Sequence, residues 1–297
     1  MHLLNVTQVI ANGTLRLLSF MPLSVLHHIG NLIGRSFQIL PNRHRRIIQR
    51  NLELCYPDLT VVKRNEFAAS NLRETGKNLT ELGALWRWSK PKIEALVVEE
   101  VNKQHLQSAL NENKGVIIAA PHTGAWELIG LKLTCDQPMH FLYRPNRRSQ
   151  INSTILQARE RFGGKCHPIT RRGLSALVRA LKNGELIGIL PDQEPAADHG
   201  VFAPFFGLPA YTMTFLSNLA QKTDATVVFA VMERLPAAAG YRLHYLQPDK
   251  EIYDEDPEVS SAALNRCIEQ CIAIAPTQYM WSYKRFKAAP SGIESRY

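Results

Sequence analysis

From about residue 93 onward, short apolar runs alternate with amphipathic stretches, and this alternation restricts the fold more than any other feature of the 297-residue sequence. The apolar runs have the length of buried strands, and the stretches between them have the 3.6-residue period of helices. Such alternation predicts an α/β fold with a largely parallel or mixed central sheet flanked by helices. The predicted strands are 116–120, 139–143, 185–190, 225–232 and 241–246, and the predicted helices are 102–112, 124–134, 149–162, 172–183, 211–223 and 257–275.

Two loops that follow predicted strands contain the residues most suited to chemistry. They read PHTG (121–124) and PDQE (191–194). Ligands of open α/β sheets bind beyond the carboxyl ends of the strands, so we expect both loops to lie at the functional edge. Within the second loop, Asp192 could orient a catalytic group or could cap the segment that follows.

His122 and Glu127 supply the two groups needed to deprotonate an alcohol. Histidine has a pKa near neutrality, and a nearby carboxylate orients its ring and stabilises the imidazolium. Five positions on one helix would separate the two side chains by about 140°. We therefore expect His122 to lie in the turn before the helix and Glu127 in its first turns, with Gly124 allowing the turn to bend.

His-x4-acid spacing is a weak signal by itself, since roughly one match is expected by chance in a chain of this composition. A second match, His244 and Asp249, begins in a predicted strand and has Pro248 between its members. We interpret that pair as a strand histidine and a turn aspartate.

Residues 1–50 are predicted to form a separate region of hydrophobic and basic helices, and residues 51–297 an α/β domain. Residues 3–39 are apolar but interrupted by polar side chains, and no positive segment precedes them, so neither a signal peptide nor a spanning helix is indicated. An apolar helix followed by a basic, acid-free flank is typical of an interfacial anchor on an anionic membrane. The alternative is a pair of core helices with a solvated basic face.

The net charge of +9 is concentrated in three zones. Residues 1–50 contain six arginines and no acid, residues 142–182 contain ten basic residues and one acid, and residues 284–297 contain four basic residues and one acid. A directed basic surface indicates an anionic partner. Nucleic acid is disfavoured, because no helix-turn-helix, RRM or OB signature is present.

The five cysteines are scattered and form no CxxC motif, which indicates neither a disulfide framework nor a zinc site. Cys267 and Cys271 are expected in the core, and a reducing, cytoplasm-facing location fits them best. No metal and no cofactor are expected.

Seven segments in order carry a resemblance to a known family. The sequence resembles the bacterial lipid A biosynthesis acyltransferases, the late lauroyl and myristoyl transferases, over essentially its whole length, with the myristoyl-transferring type as the expected member. The segments are NLELCYPDL (51–59), PHTGAWE (121–127), YRPNRR (143–148), Arg159 with its following FGG (162–164), GILPDQEP (188–195), VFAPFFGLPAYT (201–212) and YMWSYKRFK (279–287).

The resemblance implies an enzyme of the bacterial inner membrane with a glycerolipid-acyltransferase-like fold and an active site at the cytoplasmic face. It implies an acyl carrier protein thioester as donor and a hydroxyl on a 3-hydroxyacyl chain of a lipid A precursor as acceptor. An anionic membrane surface would be a further partner. His122 would then be the general base and Glu127 its charge partner.

Other residues are expected to bind substrate or to support the transition state. Arg159 has the planar fork suited to a phosphate or a thioester oxyanion. Arg144 follows a predicted strand and suits a phosphate of the acceptor or the acidic carrier. Family members commonly end with His-Arg-Arg-Phe-Lys where this chain has YKRFK (283–287), which leaves Arg285 and Lys287 as the phosphate candidates there.

Three alternatives remain open at the level of sequence. The same residues could hydrolyse an acyl thioester or acylate another anionic glycolipid. A non-catalytic protein that binds anionic lipid is a further reading. A covalent acyl-enzyme is disfavoured, because no GxSxG elbow is present.

Overall fold

The computed structural model describes residues 13–143, 149–292, 294 and 296–297. Residues 13–19 are helical. The α-helices that follow are α1 (Leu23–Ile39), α2 (Arg43–Cys55), α3 (Val61–Leu85), α4 (Lys90–Leu96), α5 (Lys103–Asn111), α6 (Trp126–Asp136), α7 (Ser149–Glu160), α8 (Arg171–Lys182), α9 (Phe215–Thr223) and α10 (Pro257–Ile274). The strands are β1 (Val97–Val101), β2 (Val116–Ala119), β3 (Met139–Tyr143), β4 (Gly164–Pro168), β5 (Leu186–Ile189), β6 (Gly200–Phe205), β7 (Leu208–Met213), β8 (Thr226–Arg234) and β9 (Tyr241–Leu246).

Seven strands form the central sheet in the order β1-β9-β8-β2-β5-β3-β4. The five strands from β8 to β4 are mutually parallel, while β9 is antiparallel to β8 and parallel to β1. The sequence prediction of a largely parallel or mixed sheet flanked by helices is therefore confirmed.

Apolar side chains on the two faces of the sheet build two cores. On one face, Ile117 and Ile187 pack with residues of α2, α8, α9 and α10. On the other face, Ile118 and Val228 pack with residues of α4, α5 and α6. Successive residues of one strand alternate between the two cores, so both faces of the central strands are covered, as parallel sheets require.

The strands missed by sequence periodicity are the edge strands β1 and β4 and the two strands of the separate hairpin, β6 and β7. β1 contains Glu99 and Glu100, and β4 is the mostly polar GKCHP, so neither has a continuous apolar run. The predicted helix 211–223 also begins too early, because residues 211–213 belong to β7 and α9 begins at Phe215.

The aromatic segment FAPFFG (202–207) forms the end of β6 and the turn of that hairpin. Phe206 and Gly207 occupy its two-residue loop with φ of 48° and 72°, the left-handed conformation typical of tight hairpins. Phe205 is fully buried, and the Phe206 ring packs against Tyr56 and Trp281. This segment therefore belongs mainly to the core.

The N-terminal helix α1 packs closely along α3 at glycines. A Cβ added at Gly76 would lie 2.0 Å from the carbonyl oxygen of Gly30, and one added at Gly34 would lie 2.4 Å from the Cα of Arg73. Only glycine allows the two backbones to approach this far. In the part of the chain that is described, no helix combines the length and apolar character needed to cross a bilayer.

Candidate active site

Two neighbouring parallel strands bring His122 and Asp192 together. His122 lies two residues beyond Ala120, which follows β2, and Asp192 lies in the loop after β5. Because β2 and β5 pair in parallel, both loops leave the same edge of the sheet. The two loops that the sequence indicated therefore meet, although they are 70 residues apart.

Asp192 holds His122 by two hydrogen bonds. The His122 Nδ1 lies 2.8 Å from Asp192 Oδ1, and the His122 backbone N–H donates to Asp192 Oδ2 at 3.0 Å. Asp192 is 2% exposed and His122 is 9% exposed. With Nδ1–H donating to a carboxylate, Nε2 is left as the proton acceptor of the imidazole.

The same contact sets the protonation of both groups. Burial acts to lower the pKa of His122, but the charge and hydrogen bond of Asp192, with a contribution from Glu127, outweigh it, and the pKa lies above the ordinary 6.5. Burial acts to raise the pKa of Asp192, but His122 outweighs it, and that pKa lies below the ordinary 3.8. The pair is therefore an imidazole of enhanced basicity beside an ionised carboxylate.

The loop of His122 is fixed on its other side by the chain segment after α10. The Met280 N–H donates to the His122 carbonyl at 2.9 Å, and the Gly124 N–H donates to the Gln278 carbonyl at 3.0 Å. Gly124 has a φ of 62°, and an added Cβ would lie 1.9 Å from the carbonyl oxygen of Met232. The predicted turn therefore requires glycine for both its conformation and its close packing.

Glu127 lies in the first turn of α6, as expected, but its partner is Arg159. Arg159 donates from Nε to Glu127 Oε2 at 3.2 Å, and its Nη2 donates to Oε1. Burial acts to lower the pKa of Arg159, but Glu127 outweighs it and raises the pKa, so the guanidinium stays charged. The structure differs from the expectation of a direct His122–Glu127 pair. The His122 Nδ1, which such a pair would use, is hydrogen-bonded to Asp192 instead.

The remaining predicted site residues lie in different settings. Arg285 is 2% exposed and donates to the Tyr211 carbonyl at 2.7 Å and to Thr212 Oγ1 at 2.8 Å. This corrects the expectation of a phosphate contact, because the guanidinium is buried and donates its hydrogen bonds to oxygen atoms of the protein. Arg144 lies outside the described residues. Lys287 is exposed.

The second His-x4-acid match forms no unit. His244 Nε2 lies 2.8 Å from Glu233 Oε2, whereas Asp249 accepts from Arg266 at 2.9 Å. The interpretation of this match as a strand histidine and a turn aspartate agrees with these contacts. Cys267 and Cys271 are buried in the core, as expected, and both are free thiols.

An apolar cavity of about 290 Å³ lies between α6 and the carboxyl ends of the central strands. We call it the first cavity. Glu127 and Arg159 are its charged wall residues, and the ring of Phe141 lies against Gly130 and Gly188. The other wall residues are Ile118, Ala120, Trp126, Ile129, Leu131, Met139, Leu142, Ile169, Ile189, Leu190, Met213 and Phe215. Its walls suit an alkyl chain whose polar end reaches Glu127.

Sequence reasoning missed two residues beside His122. Gln193 Nε2 lies 3.5 Å from His122 Nε2, and the Trp126 ring meets the His122 ring edge-on with centroids 5.2 Å apart. Both residues lie within the segments that carry the family resemblance, and their positions in those segments are the signal that could have indicated them. Within the described residues, no cluster of three or more His, Cys, Asp or Glu side chains could hold a metal ion.

Comparison with known proteins assigns this chain to a family. Residues 1–288 match the family described as "Bacterial lipid A biosynthesis acyltransferase". The chain is 32% identical over 286 residues to both the lipid A biosynthesis lauroyltransferase and the palmitoleoyltransferase of Escherichia coli K12, covering 96% of this chain and 92% of each relative. It is 22% identical over 274 residues to the lipid A biosynthesis myristoyltransferase of the same organism, covering 90% of this chain and 81% of that protein. The lower identity gives no preference for the myristoyl-transferring type. The chain belongs to the bacterial lipid A biosynthesis acyltransferase family.

Proposed function

We propose that this protein transfers a fatty acyl group from an acyl carrier protein thioester to a hydroxyl of a 3-hydroxyacyl chain on a lipid A precursor. The observation that carries the proposal is the buried His122–Asp192 pair beside an apolar cavity whose wall contains Glu127 and Arg159. The family supports acyl transfer to lipid A.

His122 is the general base in this proposal. Its Nε2 takes the proton of the acceptor hydroxyl while the oxygen attacks the thioester carbonyl carbon. A tetrahedral oxyanion forms and collapses, the carbon–sulfur bond breaks, and the imidazolium returns its proton to the thiolate. Asp192 is the charge partner of the imidazolium, the role that the sequence had given to Glu127.

Glu127 positions the acceptor hydroxyl, and Arg159 positions Glu127. Two parallel hydrogen bonds from one guanidinium fix the direction of a carboxylate better than a single bond does. The Arg159 side chain also lines the first cavity, so its charge is available to the oxyanion of the thioester.

Exposed apolar side chains near the N-terminus support a site of action at the cytoplasmic face of the inner membrane. Residues 17–40 contain six of the large hydrophobic side chains that are exposed in the described part of the chain: Leu17, Phe20, Val25, Leu32, Ile39 and Leu40. The arginines of the following helix α2 add the positive charge that an anionic leaflet attracts. These residues are the proposed anchor.

The direct test is an acyl transfer assay with purified protein. Acyl carrier protein thioesters and a hydroxyacylated lipid A precursor are supplied together, and the lipid is analysed by mass spectrometry. We expect the precursor to gain the mass of one acyl group. Release of free fatty acid alone would indicate a thioester hydrolase, and transfer only to a different anionic glycolipid would place the acceptor elsewhere.

A further inference from the structure

A second cavity, of about 210 Å³, lies between helix α3 and the chain segment 278–282. Most of its wall is apolar. Leu79, Leu82 and Leu85 contribute from α3, and Met280 contributes from the opposite side. Its polar wall residues include Thr75, Asn78, Glu81, Gln278 and Ser282.

The first and second cavities share two wall residues, Trp126 and Glu127. His122 lies next to this shared wall, because its ring meets that of Trp126 and its carbonyl accepts from Met280 N–H at 2.9 Å. The two cavities are therefore adjacent, with Trp126 and Glu127 in the wall common to both, next to the proposed base.

Direct acyl transfer needs two substrates whose reacting atoms touch, and in the proposed reaction each substrate brings an alkyl chain. The first cavity accounts for only one of these chains. We propose that the second cavity binds the hydroxyacyl chain of the acceptor lipid, so that its hydroxyl lies at Glu127 while the donor chain fills the first cavity. This inference rests on the proposed function.

The rim of the first cavity fits a donor that arrives on an acidic carrier. Leu190 and Ile169 line this cavity and are 38% and 50% exposed. Arg171 and Arg172 follow Ile169 closely, are exposed, and form no ion pair within the described residues. Two exposed arginines that follow an exposed wall residue so closely favour a negatively charged protein that delivers an acyl chain.

The rim of the second cavity fits a lipid that arrives from a membrane. Leu79 lines the cavity and is 49% exposed. One turn further along α3, Gly83 lies against the backbone of Leu15, in the helical segment that leads to the exposed Leu17 and Phe20. The opening therefore lies close to the surface proposed as the membrane anchor.

Matched leucine-to-tryptophan variants at the two rims test which cavity binds which substrate. Leu79→Trp narrows the second cavity and Leu190→Trp narrows the first, and both positions are partly exposed, so both changes are compatible with folding. Leu79→Trp is expected to raise KM for the lipid acceptor about tenfold or more, since excluding even two methylenes from an apolar site weakens binding by about that factor. It should leave KM for the acyl carrier thioester unchanged. Leu190→Trp should raise KM for the thioester and leave KM for the lipid acceptor unchanged.

An increase of the thioester KM in Leu79→Trp, with an unchanged acceptor KM, would overturn the inference by showing that the second cavity holds part of the donor. Unchanged KM values for both substrates would also overturn it. A wild-type protein that transfers no acyl group would instead overturn the proposed function itself.

Photocrosslinking tests the same inference without any substitution. A lipid A precursor with a diazirine at the end of its hydroxyacyl chain is irradiated with the wild-type protein, and the labelled peptides are identified by mass spectrometry. We expect labels on Leu79, Leu82 or Leu85. Labels on Met139 or Phe141 would show that the acceptor chain occupies the first cavity and would contradict the inference.

Discussion

Asp192 controls the basicity of the site because its carboxylate faces the ring of His122 and is itself buried. The pKa of His122 lies above 6.5 because this carboxylate outweighs the effect of burial. A general base acts in its neutral form, so kcat/KM should rise with pH through the pKa of His122 and reach a plateau above it.

Replacing Asp192 with Asn should shift this profile. The substitution removes the negative charge that does most to raise the pKa of His122, whereas burial still lowers it, so the midpoint of kcat/KM should move to lower pH. The plateau should fall about 100-fold or more, because the imidazolium loses its counter-charge in the transition state. The measurement is kcat/KM for acyl transfer from pH 5 to 9.

Asp198→Asn is the matched control for this change. Asp198 is exposed in the same loop and already has a φ of 64°, a conformation that asparagine tolerates. Its profile should coincide with that of the wild type. A midpoint in Asp192→Asn that equals or exceeds the wild-type midpoint would contradict the proposed role of Asp192.

The sequence and its family resemblance predicted the members of this site better than their pairing. His122, Glu127, Arg159 and Asp192 were all candidates, and the structure brings them to one edge of the sheet. Their partners depend on the adjacency of β2 and β5 and on the position of α7, neither of which follows from hydrophobic periodicity. Arg285 was misjudged because a basic residue near a chain end gives no sign of burial by a distant hairpin.

At the scale of elements, the contact of α1 with α3 shows how glycine positions the N-terminal region. Gly76→Ala should lower the free energy of unfolding by about 1–3 kcal/mol or more, because the added methyl meets the Gly30 carbonyl oxygen and the helices must separate. The intrinsic preference of alanine for helices offsets only about 0.5–1 kcal/mol of this cost. Denaturant unfolding measures the difference.

Gly13→Ala supplies the control, since Gly13 is also in a helical segment but no described residue lies within 4 Å of an added Cβ. That variant should be as stable as the wild type or slightly more stable. Equal stability of Gly76→Ala and wild type would mean that α1 does not pack against α3 in solution as closely as described.

Central strands were predictable and edge strands were not. The strands β2, β3, β5, β8 and β9 carry apolar runs because they are covered by neighbours or helices. β1 and β4 lie at the two edges of the sheet and carry polar residues, which discourages pairing with another chain but removes the sequence signal. The hairpin of β6 and β7 was missed because Pro204, Gly207 and Pro209 resemble loop residues.

At the scale of the whole molecule, two of the three basic zones in the sequence converge. Arg43, Arg46 and Arg50 of α2 line a pocket of about 550 Å³ together with Lys284 and Arg296 from the C-terminal segment. The apolar residues 17–40 lead directly into α2. The sequence predicted an anionic partner. It could not show that basic zones more than 200 residues apart lie side by side, because that depends on the fold.

This basic pocket predicts a charge-dependent attraction to anionic lipid. The double variant Arg43→Glu/Arg46→Glu should bind vesicles containing phosphatidylglycerol about tenfold or more weakly than the wild type, since each basic residue near such a surface contributes about 1 kcal/mol. Vesicle cosedimentation measures the bound fraction. The difference should shrink as salt increases, because ions screen the attraction.

Lys222→Glu/Lys250→Glu changes the net charge equally at exposed positions outside this pocket. It should reduce vesicle binding much less. Equal losses in both double variants would show that net charge alone governs binding and that the pocket has no specific part in it.

The most direct test of the proposed mechanism is acyl transfer by wild type and His122→Gln, measured by mass spectrometry of the lipid A precursor. We expect the wild-type protein to add one acyl mass, and the variant, folded as judged by circular dichroism, to lose about 100-fold or more of the rate. Transfer by His122→Gln at the wild-type rate would contradict the proposed mechanism, because the reaction would then need a base other than His122.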